Sequence, residues 1–163
     1  VPHHVPTNKK LKSRESIILD FGFRVNGYCS DFTRTVFLGQ PSKRLEQIYL
    51  STERSYKVGV SGLKNNVSAS KIDIETRKIL AQNNFEQYFI HSLGHGTGLE
   101  VHESPYLYKT SKDKLKNKMV FSIEPGVYVP GLGGVRIEDL VYLNKGKAVY
   151  FKKYSTALKD MII

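Results

Sequence analysis

The stretch SIILDFGFRVNGYCSDFTRTVFL, Ser16 to Leu38, consists of two β-prone runs on either side of Asn26-Gly27. Asn-Gly between such runs is the strongest short-range hairpin signal, because both residues tolerate the positive φ that a tight hairpin turn demands. If Asn26 and Gly27 are the two turn residues, Val25 pairs with Tyr28. Counting back along both strands then sets Asp20 opposite Thr33. Asp31 lies two residues from Thr33 and so shares the face of Asp20, as a diagonal neighbour with backbones about 7–8 Å apart.

Working outward, Met119 to Val129 and Gly134 to Tyr142 read as two more strands, joined by the turn Pro130-Gly131-Leu132-Gly133. Glu124 and Glu138 are equidistant from Gly131, so a turn centred there sets them face to face. Like charges directly opposite each other destabilise a bare sheet. The acids also follow apolar residues: Ile17-Ile18-Leu19 precede Asp20, and Val120-Phe121-Ser122-Ile123 precede Glu124. An acid in such a place must be protonated, paired or metal-bound. Two facing pairs in a chain with only 15 acidic residues call for a cation. His95, within Gly94-His95-Gly96-Thr97-Gly98, has small neighbours that leave room for a ligand. Four carboxylates and one imidazole form a hard, oxygen-rich set, suited to Mn²⁺ or a similar divalent ion and unlike a structural zinc site. The glycine spacing is not a phosphate loop, since no helix pattern follows it and no P-loop lysine is present.

Between the two hairpins the period changes. Leu45, Ile48, Tyr49, Thr52 and Tyr56, following Ser42, are spaced for one helical face. A second helix opens at Ser68 or Ser70 and carries Ile72, Ile79 and Leu80. A last short strand covers Ala148 to Lys152, and Val1 to Arg14 reads as an extended lead-in. Strands, two helices, then strands favour an α+β fold with an antiparallel sheet backed by helices. The 163 residues suffice for a single domain, 1–163, with one core.

The net charge of +10 raises the question of nucleic acid. Lys112, Lys114, Lys116 and Lys118 carry no interleaved aromatics of the stacking kind, so a solvated surface is expected and nucleic acid is not. No apolar run approaches the roughly 20 residues of a membrane span, so no membrane partner is expected. A lone cysteine, Cys29, excludes an internal disulfide and points to a reducing cytoplasm.

The residues quoted so far resemble a known family. Leu19-Asp20-Phe21-Gly22 with Gly27-Tyr28-Cys29-Ser30-Asp31-Phe32-Thr33-Arg34-Thr35 is similar to the first metal motif of the Xaa-Pro aminopeptidases and prolidases. His91 through Gly98, with Val101-His102-Glu103, resembles their histidine segment. Ile123-Glu124-Pro125-Gly126 and Gly134-Val135-Arg136-Ile137-Glu138-Asp139 resemble their two glutamate motifs. All four come in family order and cover nearly the whole chain. The resemblance implies the pita-bread fold, a curved antiparallel sheet backed by helices. It also implies Asp20, Asp31, His95, Glu124 and Glu138 as ligands to two divalent metal ions, Mn²⁺ first, with Co²⁺ or Zn²⁺ as alternatives. By that likeness Asp31 and Glu138 bridge the ions, Asp20 serves one, and His95 and Glu124 serve the other. The expected activity is hydrolysis of peptides with proline in second position, by a hydroxide that the ion pair activates. Glu124 is expected to move the proton and His102 to stabilise the tetrahedral intermediate. His91 and His3 match the family's other active-site histidines. Arg136 is expected to orient a ligand carboxylate by a forked hydrogen bond.

The likeness also has departures. The family's module is internally duplicated, and its N-terminal part is missing here; association with that region or with a second copy, as a homodimer, is therefore expected. Leu63-Lys64-Asn65-Asn66 stands where the family has Lys-Pro-Gly, a change confined to a loop. Methionine aminopeptidases share the ligand pattern but lack the Arg136-to-Asp139 string. A dipeptidase (prolidase) and a non-catalytic peptide-binding module of the same fold remain as alternatives.

Overall fold

The computed structural model describes Pro2, Val5 and residues 7–163. His3 lies outside the described residues. The first hairpin has the register expected. Strand β1 (Ser16–Phe21) leads through β2 (Arg24–Val25) to the turn, and β3 (Tyr28–Cys29) returns to β4 (Phe32–Phe37). Asn26 and Gly27 have φ of 50° and 85°, the positive values a type I′ turn requires. Val25 faces Tyr28, and Asp20 faces Thr33.

Two helices follow. Ser42 caps α1 (Lys43–Gly62), its Oγ accepting from the Leu45 amide at 3.3 Å. The five residues picked out by helical spacing are all buried on this helix. Helix α2 (Ala69–Ala81) starts after Ser68 and buries Ile72 and Leu80. The helices pack on each other, and α1 also lies against the second hairpin.

Beyond α2 the chain forms β5 (Gly94–Gly96) and β6 (Glu103–Leu107), which the glycine-rich sequence concealed. The first reason for the glycines is proximity. A Cβ on Gly94 would stand 2.0 Å from the Ser122 carbonyl oxygen, so only glycine lets this strand approach its neighbour.

The second hairpin differs from expectation in one respect. Each of its long strands is divided in two: β7 (Val120–Ile123) and β8 (Gly126–Val129), then β9 (Gly133–Arg136) and β10 (Glu138–Asn144). Pro125 has no N–H to contribute, so the ladder lapses there. The Ile137 amide reaches the Pro125 carbonyl at 3.4 Å across the gap. Ile123 pairs with Asp139 on one side of the gap and Gly126 with Arg136 on the other. That is one unbroken register, and it sets Glu124 opposite Glu138. The last strand, β11 (Lys147–Tyr150), pairs with the far half of β10.

The main sheet runs β1-β4-β10-β7-β5-β6, with β11 beside β10 and every pairing antiparallel. The α+β architecture is as expected, and its core lies between sheet and helices around Phe37, Tyr49, Phe121 and Ile123. Lys112, Lys114, Lys116 and Lys118 are exposed, as a solvated face should be. No helix among the described residues is long and apolar enough to cross a membrane.

One polar cluster is built into this core. Arg34 of β4 meets both carboxylate oxygens of Asp139 at 2.9 Å, and the Tyr56 hydroxyl of α1 donates to Asp139 Oδ2 at 2.5 Å. Arg34 also donates to the carbonyls of Thr33, Glu138 and Ser155. Removing the guanidinium would leave a buried carboxylate without its counter-charge. Arg34→Ala should therefore lower the free energy of unfolding by about 3–5 kcal/mol, read from urea denaturation followed by circular dichroism. A loss of less than about 1 kcal/mol would show that Asp139 does not depend on Arg34.

Candidate metal centre

Three neighbouring strands put a row of side chains on one level of the sheet. Asp20 on β1 faces Thr33 on β4, and Thr33 faces Glu138 on β10. The register of the second hairpin then adds Glu124 beyond Glu138. His95 on β5 comes from the next strand over, where its amide donates to Ser122 Oγ at 3.1 Å. Asp31 enters from the mouth of the first hairpin. All five residues line one cavity of about 480 Å³.

The geometry within that cavity is close. His95 Nδ1 donates to the Gly96 carbonyl at 3.1 Å, which turns Nε2 toward the acids. Nε2 lies 3.1 Å from Glu124 Oε1 and 3.7 Å from Asp31 Oδ2. One donor atom each from Asp31, His95 and Glu138 falls within 4.8 Å of the others, within reach of a single ion. Glu138 Oε2 accepts from the Thr33 hydroxyl at 2.6 Å, and Glu124 Oε1 accepts from Ser122 Oγ at 3.1 Å.

These acids disturb one another. Glu138 is only 2% exposed; burial first, then the charges of Glu124, Asp31 and Asp20, push its carboxyl well above the ordinary range. Asp31 is raised by burial and by Asp20 and Glu124, against the pull of His95. Glu124 is lowered, because its hydrogen bond and charge contact with His95 outweigh burial. Burial alone would lower His95, yet Glu124 and Asp31 hold it above its usual value. Hard oxygen donors that repel each other, joined by a neutralisable imidazole, fit a divalent cation.

The remaining expected residues fall around this set. His102 stands at the cavity rim, its ring centroid 4.1 Å from that of His95. His91 lies outside the cavity wall, half-buried, with Nδ1 donating to the Ser92 carbonyl at 2.8 Å and Nε2 facing the Tyr128 hydroxyl at 2.9 Å. Arg136 is buried and reaches one of the four acids, Asp20, but not by the forked hydrogen bond expected. Only Nη2 meets Asp20 Oδ2, while Nη1 donates to Tyr128 Oη at 2.8 Å and to the Pro2 carbonyl at 3.1 Å. The reason is position: Arg136 ends β9, so its guanidinium straddles the gap between the two sheets.

Sequence reasoning missed Tyr128, Ser122 and Thr33 as partners of the site. Their signal was strand alternation. Ser122 lies two residues from Glu124, Thr33 two from Asp31, and Tyr128 two from Gly126, the partner of Arg136.

Comparison with known proteins identifies the family and the fold. Residues 1–145 match the sequence description of metallopeptidase family M24. The Xaa-Pro dipeptidase of Pyrococcus furiosus is 40% identical over 148 residues, 91% of this chain and 42% of that protein. A crystal structure of a dipeptidase from Pyrococcus horikoshii OT3 superposes with a TM-score of 0.96 at 42% identity, covering 100% of this chain and 45% of that one. The X-Pro aminopeptidase of Thermotoga maritima MSB8 superposes with a TM-score of 0.94 at 29% identity, covering 100% and 46%. The chain thus spans less than half the length of the relatives it matches. With the motifs, the fold and the comparisons in agreement, the chain belongs to metallopeptidase family M24, in the pita-bread branch that includes the Xaa-Pro dipeptidases and aminopeptidases.

Proposed function

We propose that this chain is the catalytic part of a metal-dependent exopeptidase that hydrolyses the bond between an N-terminal residue and a following proline. The observation that carries the reading is Glu138, almost free of solvent and surrounded by carboxylates that raise it. Only a cation makes that arrangement favourable with all the acids ionised. Asp20, Asp31, His95, Glu124 and Glu138 would hold two divalent ions, with Asp31 and Glu138 shared between them and Mn²⁺ favoured by the hard donor set. When bound, the ions supply a water of lowered pKa and a Lewis acid for the substrate carbonyl.

The protein's own groups supply the rest. Glu124 takes the proton released during attack and returns it to the leaving nitrogen. Ser122 holds Glu124 in place through one carboxylate oxygen, leaving the group free to exchange that proton. His102 donates a hydrogen bond to the oxyanion from the rim of the cavity. Thr33 fixes the rotamer of Glu138, and Arg136 fixes that of Asp20. His91 supports this set through Tyr128, and His3 is proposed as a further substrate-side histidine. Phe21, Phe23 and Tyr28 near the cavity are half or more exposed. They form the face at which a second copy, or further chain of the kind the longer relatives possess, is proposed to pack.

The first test is metal content. After equilibration with Mn²⁺ and removal of excess, two ions per chain are expected by inductively coupled plasma spectrometry. Asp31→Ala and Glu138→Ala should each remove both ions, because each ligand is shared. Full occupancy in either variant would refute the sharing, and absence of metal from the unaltered protein would favour the peptide-binding module instead.

The second test is kinetic. His102→Ala should lower kcat by roughly tenfold or more on Xaa-Pro peptides, with metal content unchanged. Loss of metal in that variant would move His102 among the ligands. Assaying an Xaa-Pro dipeptide beside a longer Xaa-Pro peptide separates the dipeptidase from the aminopeptidase form.

A further inference from the structure

Helix α2 carries a buried ion pair that does not touch the metal ligands. Asp73 and Arg77 lie one turn apart, with Arg77 Nε donating to Asp73 Oδ2 at 2.7 Å. Asp73 is fully buried, and its Oδ1 has no hydrogen-bond partner among the described residues. Burial raises the Asp73 carboxyl above its ordinary value, and the Arg77 cation beside it acts in the opposite sense.

The other side of the guanidinium gives the pair a direction. Arg77 Nη1 donates to the Phe89 carbonyl at 2.7 Å and Nη2 to the His91 carbonyl at 2.6 Å. All three guanidinium nitrogens are thus engaged. The guanidinium also lies 4.1 Å from the centroid of the Phe89 ring, and that ring meets His91 edge-on at 5.0 Å. After α2 the chain has only a short 3-10 turn, Glu86–Tyr88, before β5 begins at Gly94. No ladder holds residues 89–91: the Phe89 amide donates to the Glu86 carbonyl at 3.0 Å, and Arg77 holds the Phe89 and His91 carbonyls.

From there the hydrogen bonds run toward the metal centre. The Ser92 carbonyl can only accept, so His91 Nδ1 carries the proton and Nε2 accepts from the Tyr128 hydroxyl. Tyr128 then accepts from Arg136 Nη1, and Arg136 Nη2 holds Asp20. The same segment delivers the Leu93 carbonyl, which accepts from the Glu124 amide at 2.7 Å.

We propose that Arg77 is a positioning residue for the metal centre: by clamping the Phe89 and His91 carbonyls it sets His91, Tyr128 and Arg136, and through them Asp20. Its kinetic consequence rests on the function proposed above; its structural consequence does not. The informative variant is Arg77→Lys, which keeps a cation for Asp73 but cannot span two carbonyls in one plane.

In the metal-loaded protein, Arg77→Lys should shift the ¹⁵N resonances of the His91 ring while metal content stays unchanged. It should lower kcat about tenfold with KM within about twofold. Unchanged His91 resonances would overturn the proposal, even with lowered stability, because the pair would then only support the helix. If the unaltered protein cleaves no Xaa-Pro peptide, the functional reading fails, while the His91 resonances still decide the role of Arg77. Should the Lys variant not fold, Asp73→Asn combined with Arg77→Lys buries no lone carboxylate and carries the same readout.

Discussion

Glu138 is kept from solvent while Glu124, Asp31 and Asp20 all act to keep a proton on it. The rest of the site is arranged around that repulsion. Its sequence neighbour Asp139 shows the alternative solution. The same pair of strands, β4 and β10, gives Asp139 a permanent cation in Arg34 and gives Glu138 only the hydroxyl of Thr33. One acid is therefore neutralised by the protein itself, and the other is left for something that arrives from outside. A second arginine beside Glu138 would stabilise the fold and close the site to metal.

Much of this was legible from two turns. Asn26-Gly27 and Gly131 each fix a register, and a register fixes which acids face each other, because side chains alternate with a strict period of two. The pairing Asp20 to Thr33 and the opposition of Glu124 and Glu138 came out of counting alone. The helical faces were equally plain, since burial on α1 follows the 3.6-residue spacing closely. What was hidden has physical reasons. Strand β5 is written in glycines, which have no side chain to alternate, and its partner β6 is irregularly spaced. The division of the second hairpin depends on a single missing N–H at Pro125, which leaves hydrophobic patterning intact on both sides. Arg77 and Tyr128 act across the fold, on backbone carbonyls and on a guanidinium, and no local pattern in the sequence marks such partners.

Where the main sheet and the β8–β9 ribbon part company, the side chains of Glu124, Arg136 and Glu138 converge from both sides. The interruption lets Arg136 serve Asp20 from the ribbon while Glu138 faces the cavity from the sheet. A proline in the middle of a strand is ordinarily a loss of one ladder bond; here it also marks the line beside which the proposed ligands gather.

The assembly is non-local in a way that bears on how the protein acquires its metal. Thr33 and Glu138, in direct contact, stand 105 residues apart in the chain. The hairpin around Asn26-Gly27 carries Asp20 and Asp31 alone. His95 and the two glutamates join only when the last strands close on the sheet. A cation that takes ligands from all of these strands therefore finds little to bind in a partly folded chain. It captures the finished fold instead, drawing the equilibrium toward it by mass action. Folding of this kind, rich in distant pairings, is slow for topological reasons, and metal scarcity would raise the population of open forms without changing the rate at which they close.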